Sequence, residues 1–172
     1  MNCWRYPQRL LITGASGGIG QALALHYARP KRTLILHGRD TVKLDAVVRQ
    51  CLARGASVQT LCFDLNQRNQ LIAWQDKLAT LGELDLVLVN AGVTSNIGPQ
   101  AAGEPWPDIE RLLDVNLYAA MATVSGVLPS MRTRGCGQIA LVSSLSAWYG
   151  LPQTPAYCAS KAGLKAYGEA LR

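Results

Sequence analysis

The sequence predicts an α/β fold: a parallel sheet with helices wound over both of its faces. Three observations carry this expectation. Short runs that are mostly apolar rather than alternating are interleaved with longer stretches of helical pattern, and strands buried on both faces read this way. A glycine-rich turn joins the first run to the first helical stretch. No linker or change of composition interrupts the 172 residues, which suffice for one domain with a real core.

The elements follow in order. Leu10-Leu11-Ile12 is the first strand, and Ile19 to Arg29 the first helix. Thr33 to Leu36 leads into a helix from Asp40 to Arg54. Val58 to Phe63 precedes a helix from Leu71 to Leu81, and Leu84 to Val89 is the fourth strand. A loop rich in Gly and Pro, Gly92 to Pro107, opens onto a long helix over Ile109 to Arg132. Ile139 to Val142 is the fifth strand, and a last helix begins at Thr154. Asp40 and Asp108 are expected N-caps, and Thr154-Pro155 reads as an N-cap followed by proline in the first turn. Strand and helix repeated in this way is the signature of α/β winding.

Composition narrows the class. Apolar residues make up 49% of the chain and charged residues 16%, which excludes intrinsic disorder. No uninterrupted apolar run reaches the roughly 18 residues of a membrane span, and the first residues lack a signal-peptide pattern. The net charge of +6 is scattered, its densest set being Arg29, Lys31 and Arg32, so neither a nucleic-acid nor a membrane partner is expected. Cys3, Cys51, Cys62, Cys136 and Cys158 are odd in number and form no CxxC pair. That spacing disfavours both a metal site and a disulfide framework, and a reducing cytoplasm fits it.

Thr13-Gly14-Ala15-Ser16-Gly17-Gly18-Ile19-Gly20 lies between the first strand and the first helix. Gly14 permits a tight turn, and Gly18 and Gly20 permit close backbone approach. The helix start that follows presents unpaired N–H groups and a partial positive charge, which suits a pyrophosphate. Gly14, Ser16, Gly18, Ile19 and Gly20 are the candidate cofactor contacts here.

The second strand ends in His37-Gly38-Arg39-Asp40, about 20 residues past the glycines, where dinucleotide folds meet the adenosine ribose. Gly38 stands where an acid would bind a 2′-hydroxyl, and Arg39 follows it. A guanidinium there suits the 2′-phosphate of NADP(H), with NAD(H) as the alternative. Tyr157 and Lys161, in Tyr157-Cys158-Ala159-Ser160-Lys161, are four apart near a helix start and share a face. A phenol is a poor acid–base group at neutral pH, and a neighbouring ammonium favours the phenolate. Asn116 is a polar residue on the apolar stripe of the long helix, beside Leu113 and Leu117. A buried amide there must be hydrogen-bonded.

Taken together, the GxxxGxG spacing and the Tyr-x-x-x-Lys pair resemble the classical short-chain dehydrogenase/reductase family. Ser144, thirteen residues before Tyr157, stands where that family has its catalytic serine. Asp64-Leu65 resembles the family's adenine-contacting acidic motif, and Asn90-Ala91-Gly92 its NAG motif. The resemblance runs from Thr13 to Lys161. It implies a Rossmann-type, three-layer doubly wound sheet with about five strands present. It also implies reversible hydride transfer between NADP(H) and a small carbonyl or alcohol substrate. By the same resemblance Tyr157 is the acid–base, Lys161 assists it and holds the nicotinamide ribose, Ser144 orients the substrate oxygen, and Asn116 completes a proton relay. Family members commonly pair as homodimers through the helices that here carry Asn116 and Tyr157.

Against the family pattern, residues 1–172 are expected to form a single NAD(P)-binding domain lacking the last strands and the substrate loop. Gln138 to Val142 is then an apolar sheet edge. Weak or no turnover by the isolated chain is expected, and a non-catalytic dinucleotide-binding or interaction module is the alternative function. The segment Leu145 to Gln153, with Trp148, Tyr149 and Leu151, is expected at the mouth of an apolar substrate pocket, bordered by Asn96-Ile97-Gly98-Pro99.

Overall fold

A computed structural model of the chain describes residues 6–95, 97 and 103–171. Five parallel strands form one sheet in the order β3-β2-β1-β4-β5. They are β1 (Arg9–Ile12), β2 (Thr33–His37), β3 (Ser57–Leu61), β4 (Leu86–Val89) and β5 (Gln138–Leu141). The helices are α1 (Gly18–Tyr27), α2 (Thr41–Ala53), α3 (Leu71–Ala79), α4 (Trp106–Leu113), α5 (Ala119–Arg134) and α6 (Pro155–Ala170).

The register places Leu11 beside Ile35 on one side and Val87 on the other. The central strand β4 is therefore apolar throughout and β1 is apolar after Arg9, while the edge strand β3 carries the exposed Ser57, Gln59 and Thr60. Alternate residues feed two cores. Leu10, Ile12, Leu34 and Leu36 pack under α1 and α2, with Leu44 and Val47. Leu11, Ile35, Val87 and Val89 pack under α3, α5 and α6, with Trp74, Val124 and Leu164. Trp74 is fully buried, and its indole N–H donates to Thr123 Oγ1 at 3.0 Å, which locks α3 to α5. The chain reversal lies at the β1/β4 boundary, so the strand ends open into a crevice there.

Several expectations need revision. Asp40 does cap α2, accepting from the Lys43 N–H at 3.0 Å. Asp108 is not a cap: Pro105 holds that position and Asp108 lies in the first turn of α4, where its charge still suits the helix dipole. The long helix is interrupted. Asp114–Tyr118 forms a π turn, closed by the Ala119 N–H on the Asp114 carbonyl. Cys136 is disulfide-bonded, whereas Cys51, Cys62 and Cys158 are free. Linear spacing does not report which cysteines a fold brings together, so the cysteine count loses its bearing on compartment. By length and composition the stretch Trp106–Arg134 could cross a membrane, and half of its most apolar window is buried inside the domain. Burial against α3 and the sheet accounts for that apolarity.

Candidate active site

A cleft of about 610 Å³ lies at the carboxyl ends of the strands. Its walls include Gly14, Ser16, Gly18, Ile19 and Gly20, then Gly38, Arg39, Asp64, Leu65, Asn90, Ala91 and Gly92. Every cofactor contact expected from the sequence, apart from Tyr157 and Lys161, is on that wall.

The glycine turn is built by contacts that exclude side chains. Gly14 has φ of +67°, and a Cβ there would lie 2.9 Å from Ala91 Cα. A Cβ on Gly20 would sit 2.1 Å from the Gly14 carbonyl oxygen. At Gly18 a Cβ would meet nothing within 4 Å, so this glycine faces the open cleft. The N-terminus of α1 has no side-chain cap. Among the described residues the amides of Gly18, Ile19 and Gly20 have no hydrogen-bond acceptor. Their partial positive charge faces the cleft and matches a pyrophosphate.

Asn90 holds the turn against β4. Its side-chain amide donates to the carbonyls of Thr13 (3.0 Å) and Gly14 (3.3 Å). Thr13 Oγ1 in turn accepts from the N–H groups of Asn90 and Ala91. The Asn90-Ala91-Gly92 segment therefore serves the cradle as well as lining it. At the other end Arg39 is exposed on the wall, with no carboxylate partner among the described residues. Lys43, which sequence reading passed over, stands on the same wall and pairs with Asp40 at 3.4 Å. It lies in the first turn of α2, four residues after Arg39. Asp64 accepts from the Asn66 N–H at 3.1 Å, and Asn66 Oδ1, on the cleft wall, is buried without a partner. The glycine cradle, the free amides, the cations and the orphan acceptor together fit a phosphorylated dinucleotide.

At the far end of the cleft, Gly92 approaches two of the four catalytic candidates. A Cβ on Gly92 would lie 3.2 Å from Asn116 Oδ1 and 3.6 Å from Lys161 Nζ. Asn116 is fully buried. Its Oδ1 accepts from the Val93 N–H at 2.8 Å, and its Nδ2 donates to the Val93 carbonyl (2.9 Å) and Ser160 Oγ (3.2 Å). It sits inside the π turn, bonded to the loop after β4, and such a local widening is common at functional sites. Lys161 is 5% exposed and donates to the Val142 carbonyl at 2.9 Å, and burial pushes its pKa below the usual lysine value. Its Nζ lies 5.8 Å from the centre of the Tyr157 ring.

Ser144 is less directly engaged. Its hydroxyl pairs with Ser146, at 3.1 Å to Oγ and 3.2 Å to the N–H, capping a short 3-10 turn, and no hydrogen bond joins it to Tyr157. Ser143 serves the strand end, donating to the Lys161 carbonyl at 3.3 Å. The aromatic segment departs from expectation. Trp148 stacks on the Lys165 ammonium at 4.0 Å and lines a separate groove along β5 with Leu141 and Leu164. Leu145, Tyr149 and Leu151 are exposed. Asn96, Gly98 and Pro99 lie outside the described residues.

The sheet order and the glycine cradle define a Rossmann-type α/β domain. The short chain dehydrogenase family profile matches residues 8–172, and the chain belongs to that family. It is 37% identical over 163 residues to an "Uncharacterized oxidoreductase" of Myxococcus xanthus, covering 94% of this chain and 64% of that protein. Among solved structures it resembles a metagenomic short-chain oxidoreductase in complex with NADP (32% identity, TM-score 0.85, 95% of this chain and 74% of the other). It also resembles a short-chain dehydrogenase from Sphingobium yanoikuyae in complex with NADPH (30%, 0.85, 95% and 64%). The chain thus spans less than two thirds of the Myxococcus relative.

Proposed function

We propose that the chain binds NADP(H) and takes part in hydride transfer between it and a small carbonyl or alcohol substrate. The carrying observation is continuity: one cleft runs from the glycine turn to Gly92, where Asn116 and Lys161 converge. The NADP and NADPH complexes of two similar proteins support the same cofactor. When bound, NADPH supplies the hydride that a carbonyl carbon accepts.

The chain's residues do the rest. The amides of Gly18, Ile19 and Gly20 bind the pyrophosphate, and Arg39 with Lys43 attracts the 2′-phosphate. Ser16 lines the wall beside them, and Asp64 and Leu65 border the adenine. Asn90, Ala91 and Gly92 floor the cleft. Lys161 holds the nicotinamide ribose. Tyr157 gives a proton from its phenol to the substrate oxygen during reduction and takes one back during oxidation. Ser144 turns its hydroxyl from Ser146 to that oxygen, and Asn116 orders the polar path behind Lys161. A homodimer through the surfaces of α4, α5 and α6, where Trp106 and Met121 are exposed, fits the same reading.

Calorimetric titration with NADPH and NADH, followed by a screen of apolar ketones for nicotinamide oxidation, tests this. Tighter binding of NADPH with turnover is expected. Failure of folded protein to bind either nucleotide sinks the proposal. Dinucleotide binding without turnover is a second reading, favoured by the engagement of Ser144 with Ser146, and the same screen separates the two.

A further inference from the structure

Two amides at the start of the glycine turn are held by a single residue. The Gly14 N–H donates to His37 Nδ1 at 3.3 Å, and the Ala15 N–H donates to the His37 carbonyl at 2.8 Å. The other ring nitrogen, Nε2, faces the Phe63 carbonyl at 3.0 Å. The residue is 3% exposed, and its ring packs 4.9 Å from that of Trp74. A ring that accepts at Nδ1 must carry its proton on Nε2, so these partners fix the neutral Nε2–H tautomer. Burial holds the imidazole down at about 4 against the opposing pull of the Phe63 carbonyl and the Asp64 carboxylate, which keeps it neutral at physiological pH.

The geometry divides the turn into two sets of amides. Gly14 and Ala15 are committed to His37, while Gly18, Ile19 and Gly20 are left free toward the cleft. Through Phe63 the same ring reaches the segment that carries Asp64 and Leu65. One side chain thus joins the phosphate end of the cleft to its adenine end. An amide turned toward the protein and deprived of its acceptor is left unsatisfied, so His37 adds to the hold that Asn90 already has on the turn.

We infer that His37 is a positioning residue for the dinucleotide: its neutral ring braces the Gly14 turn against the Phe63–Leu65 segment so that both ends of the cleft fit one ligand. This rests on the nucleotide-binding reading above. An apolar ring of similar size fills the space without the two bonds, whereas a glutamine supplies an acceptor and a donor together.

The test is calorimetric titration of the wild type, His37→Phe and His37→Gln with NADPH. His37→Phe is expected to bind about 10-fold more weakly or worse, and His37→Gln to recover most of that loss. Wild-type binding matched by His37→Phe overturns the inference and leaves the nucleotide-binding reading standing. No binding by the wild type overturns both. If His37→Phe does not fold, nitrogen-15 NMR of the wild-type imidazole decides. An Nε2–H ring kept on addition of NADPH supports the inference, and an Nδ1–H ring refutes it.

Discussion

Lys161 Nζ donates to the Val142 carbonyl at 2.9 Å, so the strand end of β5 holds the ammonium against the floor of the cleft. Burial disfavours the charged form and lowers its pKa. The sign of the linkage follows. Between the lowered folded-state value and the ordinary 10.5, the unfolded chain holds a proton that the folded chain has lost. Stability therefore rises with pH through that alkaline window. Lys161→Met removes the penalty and flattens the rise, so its stability at neutral pH is expected to equal or exceed that of the wild type. Any hydride-transfer activity is expected to fall by about 100-fold or more. Chemical denaturation across alkaline pH, alongside turnover, checks both halves.

His37 has the opposite exposure to acid. Its pKa falls from 6.5 to about 4 in the fold, so below 6.5 the unfolded chain gains a proton that the folded chain refuses. The stabilisation is complete above pH 6.5 and is lost as the pH falls toward 4. The full loss is on the order of 3 kcal/mol. Urea midpoints measured across this range should decline more steeply for the wild type than for His37→Phe. Parallel curves would remove the histidine from the account.

Much of this was legible in the sequence, and the exceptions have physical causes. The mostly apolar runs and the glycine turn together pointed to the parallel sheet, because strands covered by helices on both faces carry such runs. Gly14, Gly18, Gly20 and Arg39 fell on the cleft wall because their spacing is local. His37 was passed over because its partners, Gly14 and Phe63, meet it only once three strands pair. The π turn at Asn116 left the apolar stripe intact and so gave no sign of the extra residue. Trp148 was expected at the cleft, but its place beside Lys165 depends on how α6 packs, which no linear pattern records.

Gly18 and Gly20 should separate binding from folding. At Gly20 a Cβ would fall 2.1 Å from the Gly14 carbonyl oxygen, a contact that forces the turn apart. Gly20→Ala is expected to lose about 1–3 kcal/mol of stability along with nucleotide binding. At Gly18 a Cβ meets nothing in the protein, so Gly18→Ala keeps its melting temperature and weakens only NADPH affinity. Thermal unfolding and calorimetry on the two variants decide the matter. A Gly18→Ala protein that melts like Gly20→Ala would contradict it.

Cofactor preference should follow from Arg39 and the space beside it. The guanidinium is exposed on the wall without a carboxylate partner among the described residues, open to a phosphate. Arg39→Ala is expected to weaken NADPH binding by about 10- to 100-fold, leaving NADH unchanged. The remaining preference should shrink with added salt, since exposed Lys43 acts at longer range. Replacing Gly38 with an acid does not suffice to favour NADH. A Cβ there would lie 3.0 Å from Ser16 Oγ and 3.3 Å from Leu44 Cδ1, so Gly38→Asp displaces the serine and weakens both nucleotides. Ser16→Gly opens that space, and Gly38→Asp combined with Ser16→Gly and Arg39→Ala is expected to prefer NADH. If Gly38→Asp alone reversed the preference, Ser16 would not be the obstacle that this packing makes it.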